Sequence, residues 1–185
     1  MKKILLIFLF LTSAFAFSQE EKEEISTILG KNELKINTTN FLIFKYIDLS
    51  YERLLNAESS LGIAILKSVS ANNGTTNFNA YRTFSITPYY RQYFSKNYAR
   101  GFFVEGFGML NTQEHKYYDY TNVSSSSTNT EEINFAFGIS TGAKFMTKKG
   151  FIAEVYLGIG RNILNNEENN EDIVGRGGVS LGYRF

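Results

Sequence analysis

From Leu34 to Phe185 the chain alternates between apolar and polar or small side chains, and this period of two restricts it to strands with one apolar face. The final stretch shows the pattern well. Ile173, Gly175, Gly177, Val179, Leu181, Tyr183 and Phe185 share one face, and Val174, Arg176, Gly178, Ser180, Gly182 and Arg184 share the other. The same alternation predicts seven earlier strands: Leu34 to about Leu42, Tyr46–Leu55, Leu61–Val69, Thr83–Phe94, Gly101–Asn111, Ile133–Phe145 and Phe151–Gly160. Most are close to the roughly 9 to 11 residues of a tilted membrane-spanning strand. Pro88 lacks the N–H that a paired strand needs, so a bulge is expected there.

The connections alternate as well. Asn56–Ser60, Ser95–Arg100 and Thr147–Gly150 are short, whereas Ser70–Arg82, Thr112–Glu131 and Asn162–Asp172 are long, polar and rich in Asn, Ser and Thr. The short link Ile43–Lys45 is the exception. One end of the sheet therefore carries nearly all the loop mass, the pattern of outer-membrane barrels.

The composition of the two faces decides which one meets water. A soluble barrel would present Lys, Glu, Thr and Gln outward, but the polar face here is mostly Gly, Ala and Ser, as in Gly138, Ser140, Gly142, Gly158 and Gly160. Small side chains belong in a narrow space, and an eight-strand barrel has an interior just wide enough for side chains. The expected fold is an all-β, eight-stranded antiparallel up-and-down transmembrane β-barrel over residues 33–185, closed because lipid offers no partner to a strand edge. Its phasing places Lys35, Asp48, Glu52, Arg91, Glu105, Lys144, Glu154, Arg176 and Arg184 in the lumen, where they are expected to form an ion-pair network. Phe94, Phe102, Phe145, Phe151, Tyr183 and Phe185 are expected to form an aromatic girdle at the short-turn end.

Met1–Gln19 stands outside this pattern. Lys2 and Lys3 precede an apolar run, Ile4–Phe17, that is too short to span a bilayer and is followed by small residues suited to cleavage before Phe17 or Gln19. It reads as a secretory signal, followed by a mobile lead-in over residues 20–32. Its loss lowers Lys+Arg from 19 to 17 by removing Lys2 and Lys3, against 18 Asp+Glu, so nothing favours nucleic acid. The chain has no cysteine, which excludes disulfides, thiolate metal sites and a lipid anchor on cysteine. With 17 Phe, 12 Tyr and one Pro, the composition suits sheet.

The terminal Gly182-Tyr183-Arg184-Phe185 resembles the closing signal of outer-membrane barrels. Leu49-Ser50-Tyr51-Glu52-Arg53-Leu54-Leu55-Asn56, followed by Ser60-Leu61-Gly62-Ile63, is similar to a family of small outer-membrane barrels of uncharacterised function, related in architecture to the OmpA and OmpX types. The resemblance covers Leu34 to Phe185. It implies a Gram-negative outer-membrane location, contact with membrane lipid, and insertion by the barrel-assembly machinery through Tyr183 and Phe185, but no catalytic residues and no cofactor.

Three features bear on chemistry. His115, beside Glu114 and near Ser124 to Ser127, is the lone histidine, and lipid A-modifying enzymes of this fold use His with Ser and a carboxylate. A loop histidine without a fixed partner favours a surface residue over a general base. Asn165 to Asp172 is rich in oxygen ligands but lacks a calcium-binding spacing. Tyr117, Tyr118 and Tyr120 beside the serines suit a contact surface for an extracellular partner. The reading is a non-enzymatic barrel with a side-chain-filled lumen and a structural or surface-contact role. A lipid A-modifying enzyme and a soluble periplasmic lipocalin-like carrier are the alternatives.

Overall fold

The computed structural model describes residues 30–69, 82–95, 98–118, 127–163 and 173–185, and in it eight strands close into one antiparallel barrel. The elements are β1 (Asn32–Asn37), α1 (Thr38–Phe44), β2 (Tyr46–Leu54), β3 (Ser59–Ser68), β4 (Arg82–Tyr93), β5 (Gly101–Tyr118), β6 (Ser127–Met146), β7 (Phe151–Asn162) and β8 (Ile173–Arg184). Each strand pairs with its neighbours in sequence, and β8 returns to β1 with Glu33 opposite Arg184 and Ile36 opposite Leu181. At the closing corner Asn32 and Phe185 exchange both backbone hydrogen bonds, at 3.0 and 2.8 Å. The signal and most of the lead-in lie outside the described residues, as do the acidic stretch Asn165–Asp172, Tyr120 and Ser124 to Ser126.

The alternation emerges as an inverted molecule. Leu157, on the outward face of β7, is 74% exposed, while Arg91, on the inward face of β4, is 1% exposed. Ile63, Ile65, Phe137, Ile139, Ile159 and Val179 also point outward, while Lys35, Glu52, Glu105, Lys144 and Glu154 join Arg91 inside. Glu105 phases β5 as expected, with Phe103 and Phe107 buried beside it.

Several strand boundaries and irregularities differ from expectation. β1 stops at Asn37 instead of continuing to Leu42, because Thr38–Phe44 turns into a short helix. The Asn37 side chain caps it by accepting from the Asn40 N–H at 3.1 Å, and Lys45 ends it in the left-handed region with φ 57°. The consecutive apolar run Phe41-Leu42-Ile43-Phe44, which breaks the period of two, is the local signal of this change.

β5 and β6 continue far past Asn111 and begin well before Ile133. They pair out to Tyr118 opposite Ser127, so much of the expected loop Thr112–Glu131 is strand, and His115 lies on β5 opposite Thr130. Pro88 needs no bulge: Ile86 faces Leu110 and Tyr89 faces Phe107 in one unbroken register. Pro88 is exposed and sits opposite Ile63 of β3. The irregularity falls between Arg82 and Phe84 instead, and it turns Arg82 inward, out of the phase that the rest of β4 keeps. Arg82 is thus a buried strand residue and no part of a loop.

Lumenal glycines make room for lumenal rings. Gly62 lies opposite Tyr89, Gly138 opposite Phe107, and Gly142 opposite both Phe103 and Tyr156. A Cβ on Gly138 would overlap the Phe107 ring and come within 2.5 Å of the Ile159 carbonyl and 2.6 Å of the Gly160 Cα. The backbone atoms cannot retreat as a side chain could. Gly138→Ala should therefore lower the free energy of unfolding by about 1–3 kcal/mol. Gly106→Ala, whose Cβ meets nothing within 4 Å, should change it by no more than about 0.5 kcal/mol. Urea unfolding of the refolded protein in detergent, followed by circular dichroism, measures both.

Candidate functional site

The distinctive chemistry of the barrel is a cluster of ionised side chains across its interior. Glu52 of β2 is its hub. One carboxylate oxygen, Oε1, accepts from Ser60 Oγ at 2.6 Å, Tyr93 OH at 2.5 Å and Lys144 Nζ at 2.8 Å. The other, Oε2, accepts from Lys35 Nζ at 2.5 Å, Arg91 Nη1 at 3.0 Å and Tyr89 OH at 3.3 Å. These donors come from β1, β3, β4 and β6.

Arg91 spreads the cluster across the lumen. Its Nε donates to Glu105 at 2.9 Å and its Nη1 to Glu154 at 2.9 Å, while its guanidinium lies 3.9 Å from the Phe103 ring centroid and 5.0 Å from that of Tyr89. Stacking on π faces suits arginine, whose planar cation is weakly hydrated. Lys35 also donates to Glu154, at 2.9 Å. Glu105 accepts from Ser140 Oγ at 2.8 Å and from Arg176, whose guanidinium lies among the rings of Tyr89, Tyr156 and Phe107.

A second carboxylate, Glu33, anchors the short-turn end. It accepts from Lys144 Nζ at 2.6 Å and from Arg184 Nε and Nη2 at 2.8 and 2.6 Å. Arg184 also donates to the Ala99 carbonyl at 2.9 Å, which ties the β4–β5 turn to the cluster. Lys144 in turn contacts Tyr93 OH. All eight strands supply at least one member, β3 through Ser60 and β6 through Ser140 and Lys144.

Eight of the nine lumenal charges expected from the alternation come together here: Lys35, Glu52, Arg91, Glu105, Lys144, Glu154, Arg176 and Arg184. Asp48 is buried in the lumen but stands apart, accepting from Asn40 Nδ2 at 2.6 Å and making no ion pair with a described residue. Glu33 is the member that sequence reasoning missed, although it lies two residues before Lys35 on the same face. Tyr89, Tyr93 and Ser140 carried the right phase, and Ser60 was expected in the Asn56–Ser60 connection but lies on β3; none gave a signal that its hydroxyl would complete a carboxylate's shell. No group of three or more His, Cys, Asp or Glu residues suited to a metal is present among the described residues.

Fold and interior together define a class: a closed eight-stranded up-and-down barrel, apolar outside and with paired charges inside. Among solved structures it is similar to the crystal structure of the N-terminal β-barrel domain of Pseudomonas aeruginosa OprF, with a TM-score of 0.52 and 13% identity over 85% of this chain and 99% of that one. That likeness shows a shared fold. No protein-family model and no curated protein matches the chain.

Removing one partner of a buried ion pair leaves the other charge uncompensated, which costs about 3–5 kcal/mol. Glu52→Ala takes one partner from each of Lys35, Arg91 and Lys144 at once, leaving them Glu154, Glu105 and Glu33, so it should lower stability by about that much. Glu154→Leu should lower it less, because Lys35 keeps Glu52, and Arg91 keeps Glu52 and Glu105. The exposed Lys67→Ala should shift it by under about 0.5 kcal/mol. Urea titrations of the three variants give the ranking.

Proposed function

We propose that the protein is a non-enzymatic outer-membrane barrel of a Gram-negative bacterium, exported by its N-terminal signal, with a structural or surface-contact role. The inversion of its surface carries this reading. Large apolar side chains such as Leu61, Ile65, Ile139, Val155 and Leu181 cover the outside, and placing them in water would forfeit the hydrophobic stabilisation that sheet proteins normally gain. Lipid removes that penalty, and a closed barrel leaves no unpaired edge in it.

Further support comes from the aromatic residues at the short-turn end. Phe94 and Phe102 approach to 6.1 Å and Phe151 and Tyr183 to 5.4 Å between ring centroids, and these residues are exposed with Phe145 and Phe185. Such a belt suits a bilayer interface. Tyr183 pairs with Leu34 of β1 and Phe151 of β7, so the residues we assign to recognition by the barrel-assembly machinery also sit at the closing seam.

The charge cluster acts in this reading as structural filling, and the lumen at its level passes no sugar-sized solute. The long connections at the far end, with the protruding β5–β6 hairpin, are the part available to an extracellular partner. A lipocalin-like carrier needs an apolar interior, whereas the interior here holds Glu52, Arg91, Glu105 and Glu154.

Fractionation of cells expressing the full chain should put the protein in the outer membrane, with different gel migration before and after boiling. Recovery in the soluble periplasm would sink the membrane reading. Lipid A extracted from cells carrying the wild type, His115→Ala or no copy should give identical mass spectra; a change that depends on His115 would make the protein an enzyme.

A further inference from the structure

The half of the lumen nearer the long connections holds a second polar group, separate from the Glu52 hub. Asn40 of α1, Asp48 of β2, Ser85 and Thr87 of β4, and the two arginines Arg82 and Arg176 line a cavity of about 20 Å³. That is room for one occupant of about the size of a water molecule.

Arg82 is the anomaly in this group. It is 4% exposed, yet its Nη1 donates only to the Met109 sulfur at 3.2 Å and, at the long distance of 3.4 Å, to the Gly175 carbonyl. Its Nε has no hydrogen-bond partner among the described residues. The other buried cations, Lys35, Arg91, Lys144, Arg176 and Arg184, each contact at least one glutamate. Arg82 makes no ion pair with a described carboxylate, and Asp48, across the same cavity, is engaged by Asn40.

The charges of the lumen point the same way. Among the described residues the buried cations are Lys35, Arg82, Arg91, Lys144, Arg176 and Arg184, and the buried anions are Glu33, Asp48, Glu52, Glu105 and Glu154. Six face five, an excess of one positive charge among the described residues. A buried charge is tolerated when it is paired. A water molecule in the cavity would leave the guanidinium charge unbalanced.

We propose that this cavity is a binding site for a small monovalent anion of halide size, held by the Arg82 guanidinium with Arg176 beside it. Ser85, Thr87 and the Asn40 amide can donate to the anion. The small volume excludes sulfate and larger oxyanions. Asp48 shares the cavity and weakens binding, so occupancy follows the surrounding halide concentration instead of being permanent. Because Asn40 belongs to α1 and its backbone takes part in both caps of that helix, an occupant would also support the wall segment that α1 provides.

Crystals of the full chain soaked in sodium bromide should show an anomalous peak within hydrogen-bonding distance of the Arg82 guanidinium. In parallel, the thermal midpoint of the refolded protein should rise with sodium chloride relative to sodium gluconate at equal ionic strength, and Arg82→Gln should abolish the difference. Asp48→Asn, which removes a like charge from the anion's surroundings, should lower the half-saturating chloride concentration by at least about tenfold. Coincident chloride and gluconate curves for the wild type, or bromide peaks confined to the outer surface, would overturn the proposal. If Arg82→Gln does not fold, the bromide map and the Asp48→Asn titration still decide it.

Discussion

The structure depends on how the Glu52 carboxylate is satisfied. Six donors from four strands meet its two oxygens in a space closed to solvent. Burying such a group is unfavourable by itself, and ion pairs of this kind seldom stabilise a fold beyond what packed apolar residues would. Their effect is on register. Slipping a strand by one residue would carry its lumenal charges, or Ser60 in the case of β3, to the apolar outer face and leave their partners unpaired inside. A cluster with members on all eight strands therefore penalises every misaligned closure of the sheet.

The packing of rings against glycines sets the space in which that cluster forms. Phe103, Phe107, Tyr89 and Tyr156 point into the lumen, and each faces a glycine on an adjacent strand. The rings then serve as surfaces for the guanidinium groups of Arg91 and Arg176. Width, aromatic content and charge are thus coupled: a larger residue at Gly138 or Gly142 would displace the ring on which an arginine rests.

The two ends of the barrel differ in regularity. At the short-turn end the ladder is complete from β8 to β1, and Asn32 and Phe185 close it. Toward the other end β1 stops at Asn37 while β8 extends back to Ile173, and side chains replace the missing strand: Thr38 Oγ1 donates to the Val179 carbonyl at 2.9 Å, Thr39 Oγ1 accepts from the Val179 N–H at 3.0 Å, and Asn37 Nδ2 donates to the Gly177 carbonyl at 3.1 Å. From β4, Arg82 reaches across the lumen toward this stretch of wall and donates to the Gly175 carbonyl on β8 at 3.4 Å.

By itself the sequence determined the number of strands, their order and which face of each points inward, because side-chain direction in a strand follows a period of two and the two faces of this sheet carry opposite chemistries. It also determined that Lys35, Glu52, Arg91 and their companions would be enclosed. Tertiary structure decided which of them touch. Glu33 and Arg184 are 151 residues apart and meet because closure sets β1 beside β8. Asp48 has the same phase as Glu52 but sits four residues earlier on β2, apart from the cluster and beside α1. Arg82 is buried because of an irregularity between two strands, which no alternation within one strand encodes. Local periodicity thus reaches as far as the face of a residue, while its neighbours depend on register, stagger and the breaks that only pairing with another strand creates.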